Sequence, residues 1–141
     1  MSCQDEYSLV VRKIEQDLLP VASEYRLGLL PFFPLASGLL TGKYKRGAAA
    51  PDDTRFAKAP ALRERYVTPR NEDIVDQLQA FAQARGHGML ELAFSWLASR
   101  PQVSSVIAGA TRLEQIEANV KAIDWTLDAN DLAEIDRITA A

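Results

Sequence analysis

The chain has 141 residues, 48% hydrophobic and 25% charged, the balance of an ordinary globular domain long enough for one substantial core. Its net charge of −3, with no dominant basic face, argues against a nucleic-acid-binding surface, and the cluster of Lys43, Lys45 and Arg46 beside Gly47 reads as a solvated loop. One cysteine (Cys3) and one histidine (His87) leave no intrachain disulfide or cysteine-based metal site, and neither a membrane span of ~18–20 apolar residues nor a signal-peptide pattern is visible, so a cytoplasmic protein is expected.

In chain order, residues 2–9 read as a short strand and residues 14–25 as a helix with Ile14, Leu18, Val21 and Ala22 on one face, Pro20 being tolerated only in a first turn or at a kink. Residues 27–33 are nearly all apolar, as in a parallel strand buried on both faces. Residues 38–70 hold Gly42, Gly47, Pro51, Pro60 and Pro69 with no sustained period, and predict a long βα loop of functional character. Two helices follow, over 71–85, with Gly86 as a stop, and over 89–99, with Met89, Leu92, Ala93, Trp96 and Leu97 as a core stripe. His87, between Gly86 and Gly88, is expected in an exposed turn. A third strand is expected over 103–108, then helices over 113–122 and 129–138, the last capped by Asp128. Alternation of this kind predicts an α/β fold with parallel strands and outer helices, although three parallel strands leave both sheet edges open.

The stretch from Gly109 to Asn119 follows the third strand run and opens an amphipathic helix. Backbone N–H groups and the positive dipole end at such a junction favour phosphate, and Arg112 adds a fork-shaped cation. A plain βα turn capped by Thr111 explains the same residues.

Four segments together carry a more specific signal: Gln4-Asp5-Glu6-Tyr7-Ser8-Leu9; Leu18-Leu19-Pro20; Pro34-Leu35-Ala36-Ser37-Gly38-Leu39-Leu40-Thr41-Gly42-Lys43-Tyr44; and the stretch from Gly109 to Asn119. In order and spacing they resemble the C-terminal half of an aldo-keto reductase, over essentially the whole chain as a single region, 1–141. The resemblance implies a partial (β/α)8 TIM barrel, with this chain supplying roughly strands six to eight and their helices, and cofactor contacts at the strands' C-terminal ends. It implies NADP(H) as cofactor. Gln4 would meet the nicotinamide carboxamide, whose recognition suits an amide that both donates and accepts, and Phe32 would stack on the nicotinamide ring. Leu35, Ala36 and Ser37 would line the pyrophosphate path, with Lys43 and Arg55 reaching the phosphates from the long loop. Gly109, Thr111 and Arg112 would meet the adenosine-side phosphate, and Gln115 and Asn119, four apart on one helical face, the adenine.

Two positions depart from the family pattern: Phe33 stands where a serine is common, and Ala118 where an acidic residue often accepts from the adenine amino group. The family's catalytic Asp, Tyr, Lys and His belong to the first half of the barrel, so no catalytic residue is assigned here. The resemblance therefore implies the cofactor-binding half of an NAD(P)H-dependent reductase of aldehydes or ketones, incompetent alone, from a truncated frame or an internal start. The alternative is a non-catalytic nucleotide-binding or assembly module that completes a barrel with another chain or by self-association. No metal, nucleic acid or membrane partner is expected.

Overall fold

The computed structural model describes residues 1–48 and 50–140. Its sheet has two parallel strands, β1 (Ser2–Glu6) and β2 (Gly28–Phe32), in register from Ser2 opposite Gly28 to Glu6 opposite Phe32. Paired positions of parallel strands point to the same side, so Gln4, Glu6, Leu30 and Phe32 share one face. On β2 the other face, with Leu29 and Pro31, is buried, while Leu30 and Phe32 are half-open. The expectation of a strand buried on both faces is thus corrected: an apolar run does not reveal which face lacks a cover.

The third strand also departs from expectation. Residues 103–108 run alongside β2, with Leu29 N–H donating to the Gln102 carbonyl (2.7 Å), and Ser104 N–H (2.9 Å) and Ile107 N–H (2.9 Å) donating to the carbonyls of Leu29 and Pro31. Only Leu29 and Val103 form a bridge, and no strand develops. Pro31 has no N–H to donate, so the ladder cannot extend along this edge. Gly28 lets the two segments approach: a Cβ there would lie 2.2 Å from Ser104 Oγ.

The first helical stretch is broken. A 3-10 turn (Lys13–Glu15) precedes α1 (Leu18–Glu24), whose first N–H donates to the Asp17 carboxylate at 2.6 Å. Pro20 occupies the third helical position, where its missing N–H costs nothing, so the helix begins after residue 17 and not at residue 14. Ile14 and Ala22 are buried, but Val21 is exposed.

Residues 38–70 are not a loose loop. Two short turns joined across a kink (Ala36–Thr41) lead into them, and α2 (Arg55–Lys58) and α3 (Pro60–Tyr66) follow and pack against these turns. Thr54 Oγ1 caps α2 by accepting from Ala57 N–H, and Pro60 starts α3. Phe56 and Tyr66 enter the core beside Leu39 and Leu40, which gives these short helices the burial that their length cannot supply.

The remaining helices follow the sequence closely. α4 (Pro69–Ala84) is capped by Thr68, has Pro69 in its first turn, and ends before Gly86 at φ 76°. In α5 (Met89–Ala98), Glu91 accepts from the Gly88 N–H at 2.7 Å. α6 spans Leu113–Lys121, and α7 (Ala129–Ala140) opens with Asp131 N–H donating to Asp128 at 2.8 Å. Trp96 on α5 is fully buried, 5.0 Å from the Tyr7 ring and flanked by the guanidiniums of Arg100 (4.3 Å) and Arg12 (5.2 Å). His87 is half-buried and stacks on Trp125 at 4.0 Å, where an exposed turn was expected; the flat imidazole covers the indole face. No helix among the described residues is long and apolar enough to cross a membrane.

Candidate functional site

The carboxyl ends of β1 and β2 define the site. Gln4 is exposed on β1, and Phe32 ends β2 on the same face, its ring 5.6 Å from that of Phe33 in an edge-on arrangement. Immediately beyond, the backbone takes left-handed conformations at Phe33 (φ 51°), Ala36 (φ 46°), Ser37 (φ 58°) and Gly38 (φ 105°). Non-glycine residues rarely adopt this region. The turn is held by Ala36 N–H to the Phe33 carbonyl (2.9 Å), Gly38 N–H to the Leu35 carbonyl (2.8 Å) and Thr41 Oγ1 to the Gly38 carbonyl (2.7 Å). Leu35 is half-buried, Ala36 and Ser37 are buried, and Ser37 Oγ, though close enough to the Tyr66 hydroxyl to act on it, has no well-formed hydrogen bond among the described residues.

Lys43 returns to this turn. A Cβ on Gly38 would lie 3.5 Å from Lys43 Nζ, which also sits 5.2 Å above the Tyr44 ring. The structure therefore brings Gln4 and Phe32 onto one face and Lys43 onto the Leu35–Gly38 turn.

The second cluster lies at the start of α6. The helix begins after Arg112, which occupies the cap position without a side-chain cap, so Thr111 is not the N-cap. Gln115 Oε1 in the first turn reaches back to accept from Thr111 N–H (2.8 Å) and from its hydroxyl (3.3 Å), which ties the preceding residue to the helix and leaves the first-turn N–H groups without a side-chain cap. Gly109 is open, with nothing within 4 Å of a Cβ, and Asn119 is half-buried. Arg112 reaches 59 residues back to Asp53 Oδ2 (2.6 Å), and Lys58 donates to Asp53 Oδ1 (2.8 Å). These cations hold the Asp53 carboxyl below its usual range, Lys58 first and then Arg112. Arg55, exposed at the start of α2, stands two residues from Asp53, so the loop helices and the α6 start meet through this pair.

A third group was not visible in the sequence. Glu6, at the end of β1, is buried and accepts from the Tyr66 hydroxyl and the Arg65 guanidinium of α3. Burial and the bond to Glu6 push the Tyr66 hydroxyl up to about 12. Tyr7 is likewise shifted upward, first by burial and then by its 2.6 Å bond to Glu15. The contacts of Asp53 and Glu6 carry no periodic signal, since one is a charged residue in a loop and the other stands at a strand end. Their roles come from contacts 59 and 60 residues apart.

The aldo/keto reductase family model matches residues 1–140. A probable voltage-gated potassium channel subunit beta of Arabidopsis thaliana is 43% identical over 129 residues, which is 86% of this chain and 38% of that protein. An L-glyceraldehyde 3-phosphate reductase of Escherichia coli O157:H7 is 38% identical over 140 residues, 95% of this chain and 40% of that protein. The solved structure of a glycerol dehydrogenase from Gluconobacter oxydans superposes with a TM-score of 0.77 at 28% identity, over 97% of this chain and 41% of that one. The chain thus spans well under half the length of these relatives. On the match over residues 1–140, the chain belongs to the aldo/keto reductase family.

Proposed function

We propose that this chain is a cofactor-holding portion of an NADP(H)-dependent aldo-keto reductase, occupying approximately the sixth to eighth strand positions of a (β/α)8 barrel. Bound nicotinamide would supply the hydride that reduces an aldehyde or ketone. In this reading the Gln4 amide holds the carboxamide and Phe32 covers one ring face. The backbone of Leu35, Ala36 and Ser37 lines the pyrophosphate, with Lys43 and Arg55 as its cations. Gly109, Thr111 and Arg112 take the adenosine-side phosphate, and Gln115 and Asn119 the adenine. The observation that carries the reading is the turn at the end of β2, left-handed at Phe33 and at Ala36, Ser37 and Gly38, with Lys43 Nζ over it and, within it, Ser37 Oγ without a well-formed hydrogen bond among the described residues. Strained backbone beside an unsatisfied polar atom fits a site that a polar ligand completes.

Proton donation is a different matter. The Tyr7 and Tyr66 hydroxyls are both shifted upward and both already donate to carboxylates. Lys43 lies over the ring of Tyr44, whose hydroxyl has no partner among the described residues. A tyrosine acid works near neutral pH only when a neighbouring cation lowers its pKa. Because the family's catalytic Asp, Tyr, Lys and His have no assigned counterpart in this chain, it is expected by itself to hold cofactor without reducing carbonyls. Fluorescence titration with NADPH and NADH tests the reading: saturable binding with NADPH preferred is expected, and no binding of either overturns it.

The α6 face favours a second reading, that the chain acts by assembling with another chain. Leu113 (66% exposed), Ile116 (51%) and Val120 (66%) on α6, with Ile123 (49%) just beyond its end, are uncovered apolar side chains. Sedimentation velocity across a concentration series distinguishes an associating chain from a monomer.

A further inference from the structure

Glu6 stands at a junction that neither cofactor cluster includes. It lies on the same face of β1 as Gln4 and is paired across the sheet with Phe32. Its carboxylate meets α3, with Oε1 taking the Tyr66 hydroxyl and Oε2 the Arg65 guanidinium. Tyr66 is 1% exposed, and its backbone carbonyl accepts from buried Asn71 Nδ2 at 2.8 Å, so α3 is tied to the first turn of α4 as well. Arg65 also lies over the Tyr66 ring at 5.0 Å. Lys43 and Arg55 thus lie between the turn after β2 and a helix moored to β1, with Arg46 paired to Asp73 and Asp76 of α4 and Asp53 to Arg112 as further exposed ties.

We infer that Glu6 is a positioning residue: by mooring α3 to the end of β1, its carboxylate holds the segment bearing Lys43 and Arg55 in register with Gln4 and Phe32. The inference rests on the proposed cofactor reading for its consequence, though not for its mechanics. A buried carboxylate is tolerable only with strong donors, and here both donors come from one short helix. Seven residues do not make a stable helix alone, so what fixes α3 is its tertiary contacts. Loss of the carboxylate should free the phosphate-binding side of the site while leaving the strand side in place.

The test uses Glu6→Gln and Tyr66→Phe, the second keeping the buried ring should the first fold poorly. Trypsin cleavage after Lys43, Lys45, Arg46 and Lys58 should accelerate by roughly fivefold or more in each variant, with cleavage after Lys121 unchanged. NADPH affinity should fall by about tenfold, the scale of one charge-assisted hydrogen bond, while affinity for reduced nicotinamide mononucleotide changes by less than about twofold. The double variant should be no worse than Glu6→Gln alone, because the Tyr66 hydroxyl's tie runs through Glu6, while Tyr66→Phe, which keeps the Arg65 contact, should be the milder of the two. Unchanged cleavage rates in both variants overturn the inference, as does an equal loss of affinity for the two ligands, which would mark a general destabilisation. If the unsubstituted chain binds no NADPH, the cofactor reading fails, and the cleavage rates alone decide whether Glu6 moors the segment.

Discussion

Replacing Phe56 by alanine tests whether residues 38–70 belong to the core. Phe56 is 2% exposed, its ring lies 4.7 Å from that of Tyr44, and it joins the cluster that includes Leu39, Leu40 and Tyr66. Phenylalanine truncations in well-packed cores cost about 3–5 kcal/mol, of which an aromatic pair accounts for about 0.5–1.5. α2 has only four residues and can settle partly into the void, so the lower end, about 3 kcal/mol, is expected. With a urea m-value of about 2 kcal/mol/M, the unfolding midpoint should fall by about 1.5 M. Tryptophan fluorescence reports the transition, because Trp96 is fully buried at the centre and Trp125 half-buried at the edge. A midpoint shift below about 0.3 M at an unchanged m-value would show that the segment opens without involving the core, and the argument for an organised cofactor loop would go with it.

Tyrosine titration supplies a second test. In the folded chain the Tyr66 hydroxyl ionises only near about 12, above the unfolded value of 10.0. Between these values the unfolded state loses its proton first, so this contribution to stability is full below pH ~10 and is lost as pH rises toward ~12. Tyr7 acts in the same direction. Tyrosinate absorbance should show Tyr7 and Tyr66 ionising only above the ordinary tyrosine value of 10.0, and titration of both at that value would contradict their burial. Arg112→Ala should lower the NADPH to NADH affinity ratio by roughly tenfold, and an unchanged ratio would remove Arg112 from the phosphate site. Asp53→Asn frees Arg112 from its exposed ion pair and should tighten NADPH binding by roughly two- to fivefold. Val120→Glu, on the uncovered face of α6, should reduce concentration-dependent association in sedimentation; equal association in both proteins would place the contact elsewhere.

Periodicity identified the long helices because their burial is itself periodic. In α4, Ile74, Val75, Leu78, Phe81 and Ala82 are buried, and Thr68, Pro69 and Gly86 mark its ends by local chemistry. The same logic fails where structure depends on distant partners. Short helices α2 and α3 carry no apolar period long enough to detect, and form because Phe56 and Tyr66 find the core. The run after Val103 has the composition of a strand, yet Pro31 withholds a donor on the facing edge, and pairing ends after one bridge. α6 is the converse case: its amphipathic pattern was legible, but none of its residues is buried. A pattern announces an apolar face and says nothing about what covers it.

The candidate site was readable in its residue types, through resemblance, but not in the physical property that makes it a site. Nothing in Pro34-Leu35-Ala36-Ser37-Gly38 announces that Ala36 and Ser37, with Phe33 before them, take left-handed backbone conformations. Each non-glycine residue held there costs on the order of 1–3 kcal/mol, so three within five positions are a large expense for a marginally stable fold. The surroundings over-determine them: Leu40 N–H donates to the Leu35 carbonyl (3.2 Å), Thr41 ties back to Gly38, and buried Leu39 and Leu40 pin the following turn. A turn needed only for chain reversal would use glycine at these positions and avoid the strain. Retaining Ala36 and Ser37, with the serine hydroxyl buried and without a well-formed hydrogen bond among the described residues, fits a backbone shaped for something outside the chain. Ser37→Gly separates the two explanations. Relief of strain should raise the melting temperature while weakening NADPH binding. A stabilised variant that binds NADPH as well as before would mean that the turn serves only the fold.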